Sequence, residues 1–156
     1  MRIHLIAIGN LKERYFSAAY EEYAKRLSRY ADVRLTELKE ERLPEKPGDA
    51  EIARALEREG EKILAKAKGA LYVFDSGGEM MTSPDFASLI GTHDDRGDEI
   101  TFVIGSSHGL SERVKNAARG KISFGRITYP HQLMRVIVME QIYRAFKIHK
   151  GESYHK

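Results

Sequence analysis

Residues 100–105 read Ile-Thr-Phe-Val-Ile-Gly, an almost continuous apolar run that stops at a glycine. A run of this kind, rich in β-branched and aromatic residues, is typical of a strand buried on both faces, as in a parallel sheet. Comparable runs occupy 3–8 and 70–75, and shorter strand patterns occupy 33–36 and 121–124. The sequence therefore predicts five strands, most of them in one parallel sheet.

Helical patterns alternate with these strands, which is the arrangement of an α/β fold. One apolar stripe predicts a first helix of about five turns. The stripe consists of Phe16, Tyr20, Tyr23, Leu27 and Tyr30. After an exposed, charged connection at 39–47, a second helix is predicted to begin at an Asp49 N-cap, to break near Gly60 and to end at Gly69.

Residues typical of turns and helix N-termini divide the middle of the chain. Gly77-Gly78 predicts a turn after the third strand. Ser83 and Pro84 supply an N-cap and a first helical residue for a short helix that continues through Ile90. The polar segment 93–98 is then expected to form a loop before the strand at 100–105.

The last predicted helix is apolar on many sides. Ser111 caps a fourth helix, and Pro130 opens the fifth. Apolar residues spread over much of the circumference of the fifth helix: Leu133, Val136, Ile137, Met139, Ile142, Tyr143 and Phe146. Such a helix is expected to pack in the core and also against a second subunit.

Length and composition restrict the class of protein. A chain of 156 residues is expected to form one domain, spanning 1–156. The 26 Lys and Arg against 23 Asp and Glu give a net charge of +3, which is compatible with a polyanionic partner. The absence of cysteine excludes thiol chemistry, and the N-terminal apolar run is too short for a signal peptide, so a cytoplasmic protein is expected and no membrane partner.

Several common site motifs are absent. Ligands of an open parallel sheet bind at the carboxyl ends of strands, so the loops after Asp75, Gly105 and Phe124 are the candidates. Neither a G-x-G-x-x-G fingerprint nor a P-loop occurs there, which argues against an ordinary dehydrogenase or NTPase. No histidine pair has metal-ligand spacing, and His93-Asp94-Asp95 is predicted to be a solvated loop, so no metal is expected.

The segment 105–109, Gly-Ser-Ser-His-Gly, matches the G-x-S-x-G nucleophile elbow of serine hydrolases, with Ser107 as nucleophile. Such an enzyme needs an acid and then a histidine later in the chain. No Asp follows Ser107, Glu112 is too near the elbow, and Glu140 lies on an apolar helix after His131. A serine hydrolase therefore remains an alternative, although the sequence offers no suitable acidic residue for its catalytic triad.

The C-terminal third carries the most specific pattern. Residues 128–135 read Thr-Tyr-Pro-His-Gln-Leu-Met-Arg, 140–148 read Glu-Gln-Ile-Tyr-Arg-Ala-Phe-Lys-Ile, and 154–156 read Tyr-His-Lys. With these segments the chain resembles, over its whole length, the SPOUT-class bacterial 23S rRNA pseudouridine-N3 methyltransferases, the large-subunit methyltransferase H family. The opening strand ending in Ile8-Gly9 and the Val103-Ile104-Gly105 loop belong to the same resemblance.

The resemblance implies a single SPOUT methyltransferase domain in which the C-terminal segment forms a trefoil knot, an exception to the rule against threaded loops. It implies S-adenosylmethionine as cofactor, a homodimer, and 23S rRNA in the ribosome as the methylated partner. A non-catalytic RNA-binding protein that keeps the SPOUT-like fold is the alternative of a different class.

Carried over position by position, the resemblance places the cofactor pocket at Phe74, Gly105, Phe124, Gly125, Arg126, Ile127, Thr128 and Tyr129. The chain departs from the family at Ser106, Ser107 and His108, where a second glycine and a small-acidic pair are usual.

The expected reaction is an in-line displacement that needs positioning and removal of the N3 proton. His131, Tyr154 and His155 are the candidates for base or acceptor orientation. Arg135 and Arg144 are expected to hold phosphates or base carbonyls, the alternative being a solvated helix edge or an ion pair between subunits.

Overall fold

The computed structural model describes all residues, 1–156, and places five strands in one parallel sheet with the order β2-β1-β4-β3-β5. The elements are β1 (Arg2–Ile8), α1 (Arg14–Leu27), β2 (Asp32–Leu38), α2 (Asp49–Lys66), β3 (Ala70–Met80), α3 (Ser83–Arg96), β4 (Glu99–Ile104), α4 (Glu112–Ala117), β5 (Gly120–Ser123) and α5 (His131–His149). The predicted α/β class with a parallel sheet is confirmed.

Helices cover both faces of the sheet. Phe102 and Val103 are consecutive residues of β4, both fully buried, and they belong to two different apolar clusters because successive side chains of a strand point to opposite faces. The cluster around Phe102 includes residues of α1, α3 and α5, and the cluster around Val103 includes residues of α2 and α4. Each such buried side chain contributes about 1.5–3 kcal/mol to folding.

One chain explains only part of the many-sided apolar pattern of α5, because Leu133, Val136 and Ile137 are half-buried and belong to neither apolar cluster. The helix packs against both α1 and α3. Its buried residues belong to the apolar cluster around Phe102: Val138, Met139, Ile142, Ala145 and Phe146. No helix of the chain combines the length and the apolar character that crossing a membrane requires.

The helix α2 runs unbroken through Gly60, contrary to the predicted break. A Cβ at Gly60 would lie 2.6 Å from Ser111 Oγ and 3.0 Å from Val114 Cγ2, so the glycine permits close packing against the start of α4. The helix begins one residue earlier than predicted, with Gly48 instead of Asp49 at the N-cap.

Two other boundaries differ from the prediction. The helix α1 ends at Leu27, which leaves Tyr30 outside it. The N-cap of α3 is Thr82, whose side chain accepts a hydrogen bond from Asp85 N, and Ser83 is the first helical residue. The predicted Ser111 cap of α4 is confirmed by its hydrogen bond from Val114 N.

The predicted polar loop at 93–98 is wrong, because α3 continues to Arg96. His93 is buried, and its ring nitrogens lie 2.9 Å from Tyr72 Oη and 2.9 Å from Asp98 Oδ2. Gly77-Gly78 is not a turn either: β3 continues to Met80 and resumes pairing with β5 after a register shift. Both errors arise because tertiary contacts override local signals that are typical of loops and turns. These contacts are the hydrogen bonds of His93 and the pairing of β3 with β5.

Candidate functional site

A cavity of about 370 Å³ lies at the carboxyl ends of β3, β4 and β5. Its walls are residues 74–76, where the pairing of β3 with β5 is interrupted, the loop 105–111 after β4 (the β4 loop), the segment 124–129 after β5 (the β5 loop), and the first turn of α5. This is the edge where ligands of open parallel sheets bind.

The structure brings the residues predicted for the cofactor together, with one exception. Those that line the cavity are Phe74, Gly105, Phe124, Gly125, Ile127, Thr128 and Tyr129. Arg126 belongs to the same loop, but it is exposed and lies outside the lining.

The β4 loop folds back on itself at two glycines. Gly109 has a φ of +88° and donates its N–H to Ser106 O at 2.9 Å. A Cβ at Gly105 would lie 2.5 Å from Gly109 O, closer than real Cβ contacts come. Glycine at 105 is therefore required for the loop to close in this shape.

Sequence reasoning missed several residues of the cavity. Asp75 follows the buried part of β3, and Lys115 reaches the cavity from α4. Lys115 Nζ lies 2.8 Å from Glu112 Oε1, and this hydrogen bond raises the pKa of Lys115. The position of Asp75 directly after an apolar run could have been found from the sequence, whereas Lys115 carries no local signal of a site.

Arg135 does not face the cavity. Its side chain is fully buried, pairs with Glu37 of β2, and donates through Nη2 to the carbonyl oxygens of Ile8 and Gly9. Burial lowers the pKa of Arg135, against the opposing effect of Glu37. The expectation that Arg135 holds a phosphate or base carbonyl is corrected, because this guanidinium has no exposed surface.

His131, in contrast, lines the cavity. A Cβ at Gly9 would lie 3.7 Å from His131 Nε2, so the end of β1 lies beside this ring. Arg135 joins α5 to the same end of β1 one helical turn later, and thereby fixes where the first turn of α5 lies.

The chain terminus is ordered against α5. Glu140, Arg144, Tyr154 and His155 form a tail cluster in which Arg144 Nε donates to Glu140 at 3.0 Å and Tyr154 Oη donates to the same carboxylate at 3.1 Å. The Arg144 guanidinium lies 4.8 Å from the centre of the Tyr154 ring, and its Nη1 lies 3.3 Å from His155 Nδ1. Burial, reinforced by the charge of Glu140, raises the pKa of Tyr154 to about 12.

The tail cluster and the cavity lie far apart in one chain. Arg144 follows His131 by thirteen positions on the same helix, which corresponds to about 20 Å along its axis. The single chain therefore brings His131 to the cavity, but it does not bring Arg144, Tyr154 or His155 there.

The remaining candidates form no second site. Ser107 is exposed. Asp94, Asp95 and His149 have ligand atoms within 4.8 Å of one another, yet Lys150 Nζ already binds Asp94 at 2.6 Å. This second group is an ion-pair network between α3 and the end of α5.

Comparison with known proteins gives one consistent result. The family model described as "Predicted SPOUT methyltransferase" matches residues 1–155. The chain is 47% identical over 159 residues to a ribosomal RNA large subunit methyltransferase H of Clostridium novyi, and 46% identical to that of Enterococcus faecalis, with both chains fully covered in each case. A solved probable methylase family protein from Haemophilus influenzae shares the fold alone, with a TM-score of 0.54, 13% identity, and coverage of 99% of this chain and 70% of that one. The chain belongs to the SPOUT methyltransferases and, among them, to the large subunit methyltransferase H family.

Proposed function

We propose that this chain is an enzyme that uses S-adenosylmethionine to methylate N3 of a pseudouridine in 23S rRNA, acting on the assembled ribosome. One observation carries the proposal: the cavity is formed by the strand-end loops that the family resemblance assigns to the cofactor. The printed names of the relatives supply the class of substrate, ribosomal RNA of the large subunit.

The cavity fits S-adenosylmethionine in size and in charge. Its volume of about 370 Å³ is within the range of small-molecule sites, roughly 300–1,000 Å³. Ile104, Phe124 and Ile127 give apolar walls for a purine, while Asp75 and Lys115 match the ammonium and carboxylate of the methionine part. When bound, the cofactor supplies an electrophilic methyl group on a sulfonium.

The acceptor side requires a group that takes the N3 proton. We assign this role to His155, because an imidazole nitrogen is a common proton acceptor in enzymes. Tyr154 remains protonated at any working pH, since its pKa is about 12, so it orients the base and is not the general base. Arg144, held by Glu140, and Lys156 are assigned to carbonyl or phosphate oxygens of the RNA.

These assignments require a second copy of the chain. Arg144 lies about 20 Å from His131 along α5, so the tail of one subunit is placed at the cavity of the other. Ile127, which lines the mouth of the cavity, is 73% exposed and offers apolar surface for the partner to cover. The trefoil knot is part of this proposal: the segment after β5 passes through a loop before α5 returns to α1.

Titration of the purified protein with S-adenosylmethionine, followed by a methylation assay on ribosomes that lack the modification, tests the proposal. We expect one cofactor per chain and transfer of one methyl group per ribosome to the N3 atom. Cofactor binding distinguishes the proposed methyltransferase from the two alternative functions. A folded protein that binds rRNA but shows no heat with millimolar cofactor would be the non-catalytic module, and ester hydrolysis abolished by Ser107→Ala would indicate the hydrolase.

A further inference from the structure

The loop that joins β1 to α1 (residues 9–13, the β1–α1 loop) leaves the sheet at the same edge as the cavity, because β1 and β4 are neighbouring parallel strands. None of its residues lines the cavity. A Cβ at Gly9 would nevertheless lie 3.7 Å from Nε2 of His131, which is a lining residue. The β1–α1 loop therefore lies next to the His131 side of the cavity.

Side chains of two other elements hold the backbone of this loop. Gln132, the residue after His131 in the first turn of α5, accepts a hydrogen bond from Lys12 N at 3.0 Å through its Oε1. Glu37 Oε1 of β2 accepts a hydrogen bond from Leu11 N, also at 3.0 Å. A loop that is fixed before it binds loses less conformational entropy on binding. The β1–α1 loop therefore presents the side chains that follow at a defined place beside the cavity.

These side chains are exposed. Lys12 and Arg14 are both exposed, and neither forms an ion pair within the chain. Tyr15, in the first turn of α1, is 65% exposed. Its ring meets Phe16 at a centroid distance of 4.6 Å and an interplanar angle of 61°, so a neighbour supports the ring while most of its surface faces solvent. Residues 12–15 thus combine two cations, the acid Glu13 and an exposed aromatic ring.

This combination suits unpaired RNA. Cationic side chains contact phosphates, and an exposed aromatic ring stacks on a base that is not stacked in a duplex. A second copy of this chain is the other occupant that an exposed tyrosine could have. The two unpaired cations favour a polyanion over that occupant, because the chain itself carries a net charge of +3.

We propose that residues 12–15 bind the nucleotides next to the methylated pseudouridine, with Lys12 and Arg14 on phosphates and Tyr15 stacked on an unpaired base. The inference rests on the proposed function, from which it takes the RNA and the target base. It adds to that function a contact surface outside the cofactor cavity.

The first test is methylation kinetics on ribosomes that lack the modification. We expect Tyr15→Ala to raise the KM for ribosomes about tenfold, because it removes a stacking partner of a base. Tyr15→Phe keeps the ring and should restore the KM to within about twofold of wild type. The kcat and the Kd for S-adenosylmethionine should stay within about twofold in both variants, because Tyr15 does not line the cavity.

Salt dependence separates phosphate contacts from stacking. In the double variant Lys12→Ala/Arg14→Ala, the slope of log KM against log salt concentration should fall in magnitude by about 1.5, since two phosphate contacts are lost. Tyr15→Ala should keep the wild-type slope. Lys68→Ala removes an exposed lysine that precedes β3, at the opposite edge of the sheet, and should change neither KM nor slope. A loop with only a structural role would not divide the variants in this way.

The second test locates the RNA without cofactor. Because the chain has no cysteine, the exposed Asn10→Cys can carry a single photo-crosslinker. We expect this variant to crosslink to 23S rRNA close to the target base on ribosomes that lack the modification, and Lys68→Cys to give no crosslink there. Equilibrium binding of the same ribosomes, measured without S-adenosylmethionine, should be about tenfold weaker for Tyr15→Ala than for wild type.

The outcomes distinguish this inference from the proposed function. If the wild type binds ribosomes more tightly than Tyr15→Ala but binds no S-adenosylmethionine, the methyltransferase proposal fails and the RNA surface stands. If the wild type methylates ribosomes and all loop variants match it in KM and salt slope, the enzyme stands and the surface is overturned. Loss of the dimer in Tyr15→Ala, measured by light scattering, would assign the ring to a contact between subunits and would also overturn its role on RNA.

Discussion

Arg135 of α5 forms an ion pair with Glu37 of β2 across 98 positions of sequence, and its side chain is fully buried. The same guanidinium binds the carbonyl oxygens at the end of β1, so one side chain joins the helix that carries His131 to two strands of the sheet.

Replacing Arg135 by Met tests this role. Loss of the guanidinium leaves the Ile8 and Gly9 carbonyls and the Glu37 carboxylate without their partner. We expect the free energy of unfolding in urea to fall by about 1–3 kcal/mol, since the carbonyl acceptors at the end of β1 lose their donor while Glu37 is exposed to solvent. The exposed Arg14→Met is the control, and an unchanged unfolding midpoint for Arg135→Met would show that the ion pair contributes little.

The closed shape of the β4 loop predicts an effect of Gly105→Ala. A methyl group there meets Gly109 O at 2.5 Å, so the loop must open where it lines the cavity. We expect cofactor affinity to fall at least tenfold while the circular dichroism spectrum is unchanged. Gly77→Ala, whose Cβ meets only Asp75 Oδ2 at 3.6 Å, is the matched control, and equal affinity in the two variants would place the cofactor elsewhere.

The strand-end loops of the site could be predicted from the sequence, and the packing around them could not. Apolar runs at β3, β4 and β5 indicated which loops share an edge, because carboxyl ends of parallel strands meet there. Nothing local indicated that Arg135 is buried, since its partner Glu37 lies on another element. The same holds for Lys115, which reaches the cavity only through the packing of α4.

The buried acid Glu59 predicts a pH dependence of stability. Burial raises its pKa above the ordinary 4.5, so the folded state holds the proton more tightly than the unfolded chain. The stabilising contribution is complete below pH 4.5 and is lost as pH rises through the folded-state pKa. We therefore expect the wild type to lose free energy of unfolding relative to Glu59→Gln as pH rises from 4.5 to 7.

Urea denaturation of both proteins at pH 4.5, 5.5, 6.5 and 7 measures this difference. The Glu57→Gln variant should run parallel to the wild type, because Glu57 is exposed. A difference between wild type and Glu59→Gln that stays constant across this range would show that Glu59 has the same pKa in the folded and unfolded chain.

The separation of tail and cavity predicts a dimer. Light scattering should give about twice the 17.8 kDa mass of one chain at micromolar concentration. Ile127→Lys, which places a charge on the exposed apolar mouth of the cavity, should weaken the dimer, whereas Arg126→Lys beside it should not. A monomer at all concentrations would contradict the placement of the tail at the partner's cavity and leave Arg144 about 20 Å from His131.

Deletion of Tyr154-His155-Lys156 should abolish methylation and leave cofactor affinity within about twofold, because none of these residues lines the cavity. Mixing this truncated protein with Gly105→Val, which keeps its tail and loses its cavity, decides where the tail acts. If the tail serves the partner's cavity, random reassociation restores about a quarter of wild-type turnover, since half of the dimers then hold one complete site of two. If the tail acts within its own chain, neither subunit of the mixed dimer is complete and turnover stays at background.

Glu140→Gln in the full-length chain should give a partial loss of methylation activity, because Arg144 and Tyr154 both lose a charged hydrogen-bond partner while His155 remains.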